Sequence, residues 1–315
     1  MPLDLDSIHA AHERIRSHIC RTPVLPSSRL NEVSGASLFF KCENFQKVGA
    51  FKARGATNAV FALDDETARR GVATHSSGNH GAAVARAAQL RGVPAHIVMP
   101  SNSAKVKIRA VESYGARVVF CEPTEEARET TCAEVINKTG ATLIHSFENE
   151  DVMAGQGTAA LELLEDVPDL DLVMCPVGGG GLLSGTAVAA KSMQPNIKVI
   201  AVEPANADDA AQSFRAGRRL VTEKKFTIAD GLRTNVGEPN FEIIQRYVDD
   251  IVTVSEEAIA LAMRAIWETM KIIIEPSAAV SYASIFDRVI DVSGKRVGII
   301  LTGGNVDLNA LPWNL

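Results

Sequence analysis

Four stretches of the chain bring nucleophilic, hydrogen-bonding or flexible residues together in spacings that can do chemistry. In Val48 to Ala56, Lys52 stands among small residues at the predicted start of a helix that runs to Leu63. A lysine held against a helix N-terminus and out of water loses proton affinity, by as much as about 3–5 units on full burial, and becomes an amine nucleophile. A solvated surface lysine is the plainer reading of the same residue. In Thr74 to Gly81, Ser76 and Ser77 precede Gly78, Asn79 and His80, ahead of an Ala-rich helix from Ala82 to Leu90. Hydroxyl, amide and backbone donors at the positive end of a helix dipole suit a carboxylate, and the same residues also read as a helix cap.

The third stretch, Pro176 to Gly185, carries four consecutive glycines, Gly178, Gly179, Gly180 and Gly181, between a strand and a predicted helix Thr186 to Lys191. Such a run is costly to order, and the usual compensation is a backbone that wraps an anion with its N–H groups, so a phosphate cradle is favoured over a tight turn. The fourth, Leu301 to Asn305, sets the Thr302 hydroxyl at the tip of the last strand beside two more glycines. A dinucleotide site competes for the glycine loop. Gly179-x-Gly181 followed by Ser184 nearly matches GxGxxG/A, and Glu203 follows about 20 residues later at a strand end, where a ribose-binding acid belongs. Ser184 is the mismatch. Taken alone, Glu203, Asp208 and Asp209 read as a solvated acidic loop.

These residues need a scaffold that presents loops at strand ends. Short apolar, β-branched runs at Ala95 to Met99, Arg117 to Cys121 and Ala141 to His145 alternate with helical stretches at Ala104 to Tyr114 and Glu125 to Lys138. The alternation resumes at Leu172 to Cys175, Lys198 to Val202, Asp250 to Val254 and Val297 to Leu301. Apolar runs without strict alternation suit parallel strands covered on both faces, so the class is α/β, and ligands bind at the carboxyl ends of such strands. Polar stretches at Asp64 to Gly71 and His145 to Asp151 mark the crossings between two layers. They predict a large domain of residues 1–70 and 148–315, a small inserted domain of residues 71–147, and a cleft along the seam.

Composition narrows the partners. The 315 residues carry 32 basic and 38 acidic side chains, a formal net charge of -6, and no long basic run, so nucleic acid is not an expected partner. No apolar stretch approaches the roughly 18 residues of a membrane span, and the acidic N-terminal segment lacks a signal pattern. Five cysteines, an odd number without a CxxC pair, argue against a disulfide framework or zinc knuckle. The expectation is a cytoplasmic enzyme.

In family order the chain contains Phe51-Lys52 with Arg-Gly-Ala, Ser-Ser-Gly-Asn-His-Gly, Gly155-Gln-Gly-Thr158, the tetraglycine loop, Glu203-Pro-Ala-Asn-Ala-Asp-Asp209, Ile228-Ala-Asp-Gly-Leu232, Ile274-Glu-Pro276 and Gly-Gly-Asn. With these motifs it resembles the serine racemase and serine/threonine dehydratase family of fold-type-II pyridoxal phosphate enzymes, which includes 3-hydroxyaspartate dehydratase-like members. That resemblance implies a tryptophan synthase β-like fold, with two open, parallel-rich twisted sheets and helices on both faces. It implies an internal Schiff base on Lys52, the cofactor phosphate on Gly178 to Gly181, Phe51 beside the cofactor, Asn79 on the pyridine hydroxyl and Thr302 on the pyridine nitrogen. Thr302 and Ala50 stand where relatives mostly carry Ser.

The resemblance further assigns the substrate carboxylate to Ser76, Ser77, Asn79 and His80, with Arg128 as an anion contact from the lid side. Lys52 and Ser77 would exchange the α proton on opposite faces. Glu203, the Ala207 carbonyl and Asp209 match a divalent-cation site for Mg²⁺, Mn²⁺ or Ca²⁺, and Lys47 and Lys271 lie near positions that bind ATP as an effector. The implied activity is dehydration or racemisation of serine, threonine or 3-hydroxyaspartate by a homodimer. Arg128 and Arg233 are candidates for a second carboxylate. A β-replacement enzyme of the cysteine-synthase type, and an NAD-binding Rossmann protein using Gly179, Gly181 and Glu203, are the alternatives.

Overall fold

The computed structural model describes residues 3–76, 78–222 and 226–313. Its ten strands are β1 (Val24–Pro26), β2 (Ser37–Cys42), β3 (Val72–His75), β4 (Ala95–Pro100), β5 (Arg117–Cys121), β6 (Thr142–Leu143), β7 (Leu172–Pro176), β8 (Lys198–Pro204), β9 (Asp250–Val254) and β10 (Arg296–Leu301). They form a six-stranded sheet in the order β1-β2-β10-β7-β8-β9 and a four-stranded sheet in the order β5-β4-β3-β6. Every pairing is parallel except β1 with β2. The two parallel-rich sheets expected of the fold are therefore present. The sequence had not signalled the short edge strand β1, or β2 and β3.

Apolar clusters cover both faces of each sheet. On one face of the large sheet Phe40, Met174 and Ile299 pack with Ile266, Val280 and Tyr282, and on the other Val173, Val199 and Ile300 pack with Leu161, Leu183 and Ile244. The helix Lys52–Ala62 gives Ala56, Ala59 and Val60 to a third cluster, with Val72 and Ile97 of the small sheet. Helix starts follow local chemistry: the side chains of Thr124, Asn149 and Ser255 each accept a backbone N–H three residues on. No helix among the described residues is long and apolar enough to cross a membrane.

Two contacts fix the helix Lys52–Ala62 in place. It crosses the helix Glu150–Asp166 glycine on glycine, since a Cβ on Gly155 would lie 2.6 Å from the Gly55 Cα. Beside that crossing, Arg54 is wholly buried and bonds Glu43 through Nε and Nη2, both at 2.8 Å. The same guanidinium reaches Glu162 at 2.8 and 2.7 Å, and Lys41 Nζ reaches Glu162 at 2.7 Å. Lys41 and Glu43 come from β2 and its end, whereas Glu162 comes from the long helix, so the charges tie three elements together. Removing one partner of such a group leaves an uncompensated buried charge. Glu162→Leu is expected to lower unfolding stability by about 3–5 kcal/mol in urea denaturation. A loss within measurement error would show that the network does not hold the crossing.

Candidate active site

A cavity of about 530 Å³ lies where segments following β3, β6, β7 and β10 converge, the carboxyl-end position expected of parallel sheets. Phe51, Lys52, Ser76, Asn79, His80, Arg128, Gly178 to Gly181 and Thr302 all line it. Ser77 lies outside the described residues. The cavity thus gathers residues spread over most of the chain.

Lys52 opens its helix directly after Phe51, whose backbone N–H donates to the Thr302 carbonyl at 2.9 Å. An Ala50–Gly303 bridge and a Gly304 N–H to Gly49 carbonyl bond at 2.9 Å continue the attachment to the end of β10. The Lys52 Nζ donates to the Ser146 carbonyl at 2.9 Å and has no acidic partner among the described residues. Burial alone draws its pKa down to about 8. The amine is consequently far closer to its nucleophilic, neutral form than an ordinary lysine.

The glycine loop is shaped by contacts that exclude side chains. A Cβ on Gly179 would lie 2.3 Å from the Phe147 ring, and one on Gly181 would lie 3.0 Å from the Phe147 Cα. Gly180 has φ +95° and would place a Cβ 2.7 Å from that of Asn240, so strain and space both select glycine there. The helix Gly181–Met193 begins inside the loop, five residues before the expected Thr186, which puts its free N–H groups at the cavity wall. Thr302, 3 % exposed, stands at the tip of β10. The helix after the Ser76 loop likewise begins early, at Asn79, and brings Asn79 and His80 into the first turn.

Asn79 donates from Nδ2 to Glu275 at 3.0 and 3.3 Å, and its Oδ1 accepts from Asn305 at 2.8 Å. Burial raises Glu275 to about 7, with Asp230 adding to the shift. Neither Glu275 nor Asn305 was singled out as a site residue, although both stand in motifs of the resemblance, Ile-Glu-Pro and Gly-Gly-Asn. His80 Nε2 lies 2.9 Å from the Ile144 carbonyl, which can only accept, so Nε2 holds the proton and Nδ1 presents a lone pair. Burial first, then the Lys52 charge, pushes His80 down to about 3. Its ring is neutral and is no donor to a carboxylate.

Glu203 is fully buried, and its two oxygens accept from the Ala210 and Ala211 N–H groups at 3.2 and 2.9 Å. That position turns it away from the role of a ribose-binding acid at the glycine loop. Burial, then Asp209, holds its pKa well above the carboxylate range. Ala207 and Asp209 are buried nearby, and Asp209 accepts from the Val236 N–H at 2.7 Å. No cluster of three or more His, Cys, Asp or Glu residues poised for a metal occurs among the described residues. Arg233 does not reach the cavity: its guanidinium donates to the Thr227 carbonyl at 3.0 and 2.6 Å and stacks on Phe226. Lys271 lines a separate groove with Trp267 and Trp313, which Lys47 does not share.

A buried amine of lowered pKa, a glycine cradle at a helix N-terminus and a hydroxyl at a strand tip share one cavity, and together they fit an aldehyde-bearing aromatic phosphate. The chain belongs to the pyridoxal-phosphate dependent enzyme family, whose pattern matches residues 15–303. It is 50% identical over 305 residues to the β-hydroxyaspartate dehydratase of Paracoccus denitrificans, covering 97% of each chain. The crystal structure of serine racemase from Dictyostelium discoideum superposes with a TM-score of 0.93 at 50% identity, covering 97% of this chain and 99% of that one. The structure of maize serine racemase superposes with a TM-score of 0.96 at 45% identity, covering 100% of this chain and 97% of that one.

The pKa of Glu275 rises from 4.5 to about 7 on folding, so the folded protein keeps a proton that the unfolded chain releases between those pH values. Its contribution is fully present below 4.5 and is lost as pH rises through about 7. In the cofactor-free protein, the unfolding free energy of the natural chain minus that of Glu275→Gln should fall with pH across this window and stay level on either side. A difference independent of pH would contradict the assignment.

Proposed function

We propose that this chain is a pyridoxal phosphate-dependent lyase and racemase acting on a β-hydroxy amino acid, namely serine, threonine or 3-hydroxyaspartate. The products are a 2-oxo acid and ammonia, or the inverted amino acid. The observation that carries the reading is the Lys52 amine, drawn down to about 8 in the same cavity as the glycine cradle. When bound, pyridoxal phosphate supplies an aldehyde that captures amines and a ring that takes up the charge left when an α proton departs.

In this reading Gly178 to Gly181 hold the phosphate through backbone N–H groups, Phe51 packs beside the ring, Asn79 meets its hydroxyl and Thr302 meets its nitrogen. A hydroxyl at that nitrogen, unlike a carboxylate, leaves it largely unprotonated, so the reaction leans on well-placed acids and bases. Ser76, Asn79 and the backbone N–H of His80 receive the substrate carboxylate at the helix start, with Arg128 facing the same space. Lys52 Nζ removes or returns the α proton on one face, and Ser77 does so on the other. Departure of the β hydroxyl after proton removal gives elimination, whereas proton return from the second face gives inversion.

The division at residues 70/71 and 147/148 belongs to the same reading, as does a homodimer. Glu203, the Ala207 carbonyl and Asp209 would hold Mg²⁺, Mn²⁺ or Ca²⁺ as oxygen ligands, and a cation there would offset the burial and the Asp209 repulsion that raise the Glu203 pKa. Its contribution would be structural, tying the end of β8 to the segment at Val236. ATP is proposed as an effector near Lys271 and Lys47.

Incubation with pyridoxal phosphate followed by borohydride should fix the cofactor on Lys52 in peptide maps. Lys52→Ala should take up no label and lose at least a thousandfold in oxo-acid release; a labelled or fully active variant would overturn the proposal. Ser77→Ala should lose racemisation while retaining elimination that starts on the Lys52 face, measured by chiral chromatography beside an oxo-acid assay. An equal loss of both activities would refute the two-face division.

A further inference from the structure

The proposal above gives the α-carboxylate of a substrate one receiving loop. Three further cations nevertheless line the cavity: Lys107, Arg128 and Arg219. Lys107 is neutralised by Asp230 at 3.1 Å. Arg128 lies on the helix Glu125–Thr139; its side chain has no hydrogen-bond or ion-pair partner among the described residues and supplies the positive charge facing the loop. Arg219 is different in kind. Its Nε donates to the Val236 carbonyl at 2.7 Å, while its two terminal nitrogens have no partner among the described residues.

That anchor places Arg219 on a firm support. The next residue, Gly237, donates its backbone N–H to the Gly179 carbonyl at 3.0 Å, and Val236 itself is held by Asp209. Glu148 packs over Gly237, and its Oε2 lies 3.8 Å from the ring of His145, whose pKa burial lowers. A guanidinium fixed by one nitrogen and open at the other two presents a preorganised fork for a carboxylate. Serine and threonine carry a single carboxylate and leave this second guanidinium without a partner. A substrate with a carboxylate at each end would engage both.

Resting on the lyase and racemase reading, we propose that Arg219 is a specificity-determining residue that binds the distal carboxylate of a dicarboxylic β-hydroxy amino acid. The preferred substrate is then 3-hydroxyaspartate rather than serine or threonine.

The test uses the pyridoxal phosphate-loaded full chain with the 3-hydroxyaspartate isomers, serine and threonine. The natural protein should show its highest kcat/KM on a 3-hydroxyaspartate isomer. In Arg219→Gln the ratio of kcat/KM for that isomer over serine should fall at least tenfold, mainly through KM, and Arg219→Lys should recover part of it. Inhibition by succinate, relative to butyrate, should weaken in parallel. A preference of the natural protein for serine or threonine, or an equal loss on all substrates in Arg219→Gln, overturns the inference. Weakened uptake of pyridoxal phosphate in a spectroscopic titration of Arg219→Gln also overturns it, since Arg219 would then serve the cofactor. Failure of the underlying reading looks different: no oxo acid forms from any hydroxy amino acid and borohydride leaves Lys52 unmodified.

Discussion

Two carboxylates and two cations, shut away from water, hold the helix that carries Lys52. Each buried ion costs several kcal/mol of hydration, and attraction returns this only when geometry is good and every donor is used. Arg54 meets that condition with a fork on Glu43 and two bonds to Glu162, while Lys41 takes the remaining position on Glu162. The charges balance. Because Lys41 lies in the large sheet, Glu43 directly follows its strand β2 and Arg54 lies two residues beyond Lys52, the amine is referenced to the sheet and not to a surface loop. Glycine contacts at Gly55 and Gly155 set the distance of the same crossing.

Around the cavity, burial is the first cause of the main shifts in acidity. It lowers Lys52 to about 8 and His80 to about 3, and raises Glu275 to about 7. All three move toward the neutral form, as desolvation requires. The result is an amine closer to its neutral form than an ordinary lysine and a histidine that serves as a fixed acceptor. Asn79 lies at the centre of a chain of side chains from Glu275 to Asn305, and Asn305 also donates to the Val48 carbonyl at 2.7 Å. The segment before Lys52, the helix start at Asn79 and the end of β10 therefore stand or shift together.

Much of the site was legible because it is written in local spacing. A tetraglycine run after an apolar strand, small residues around a lysine and hydroxyls ahead of a helix each describe what a few neighbouring residues do by themselves. Helix boundaries were less legible: the helix at Lys52 begins where expected, but those at Asn79 and Gly181 begin earlier, since glycines and polar residues that weaken a helix in isolation are carried by tertiary packing. The acidic loop was harder still, because a solvated loop and two buried carboxylates have the same composition and differ only in what covers them.

By itself, the sequence determined the α/β class and the strand-end loops, and it marked the lysine and the glycine run that line the cavity as candidates. These depend on conformations within one element or one turn. Only the tertiary structure decided that Glu275 holds Asn79, 196 residues away, that Arg219 and not Arg233 faces the cavity, and that the His80 ring is bonded away. Those facts follow from strand order and from which backbone carbonyl each side chain meets. No pattern of neighbours along the chain encodes them, since distant segments become partners only when the sheets are assembled.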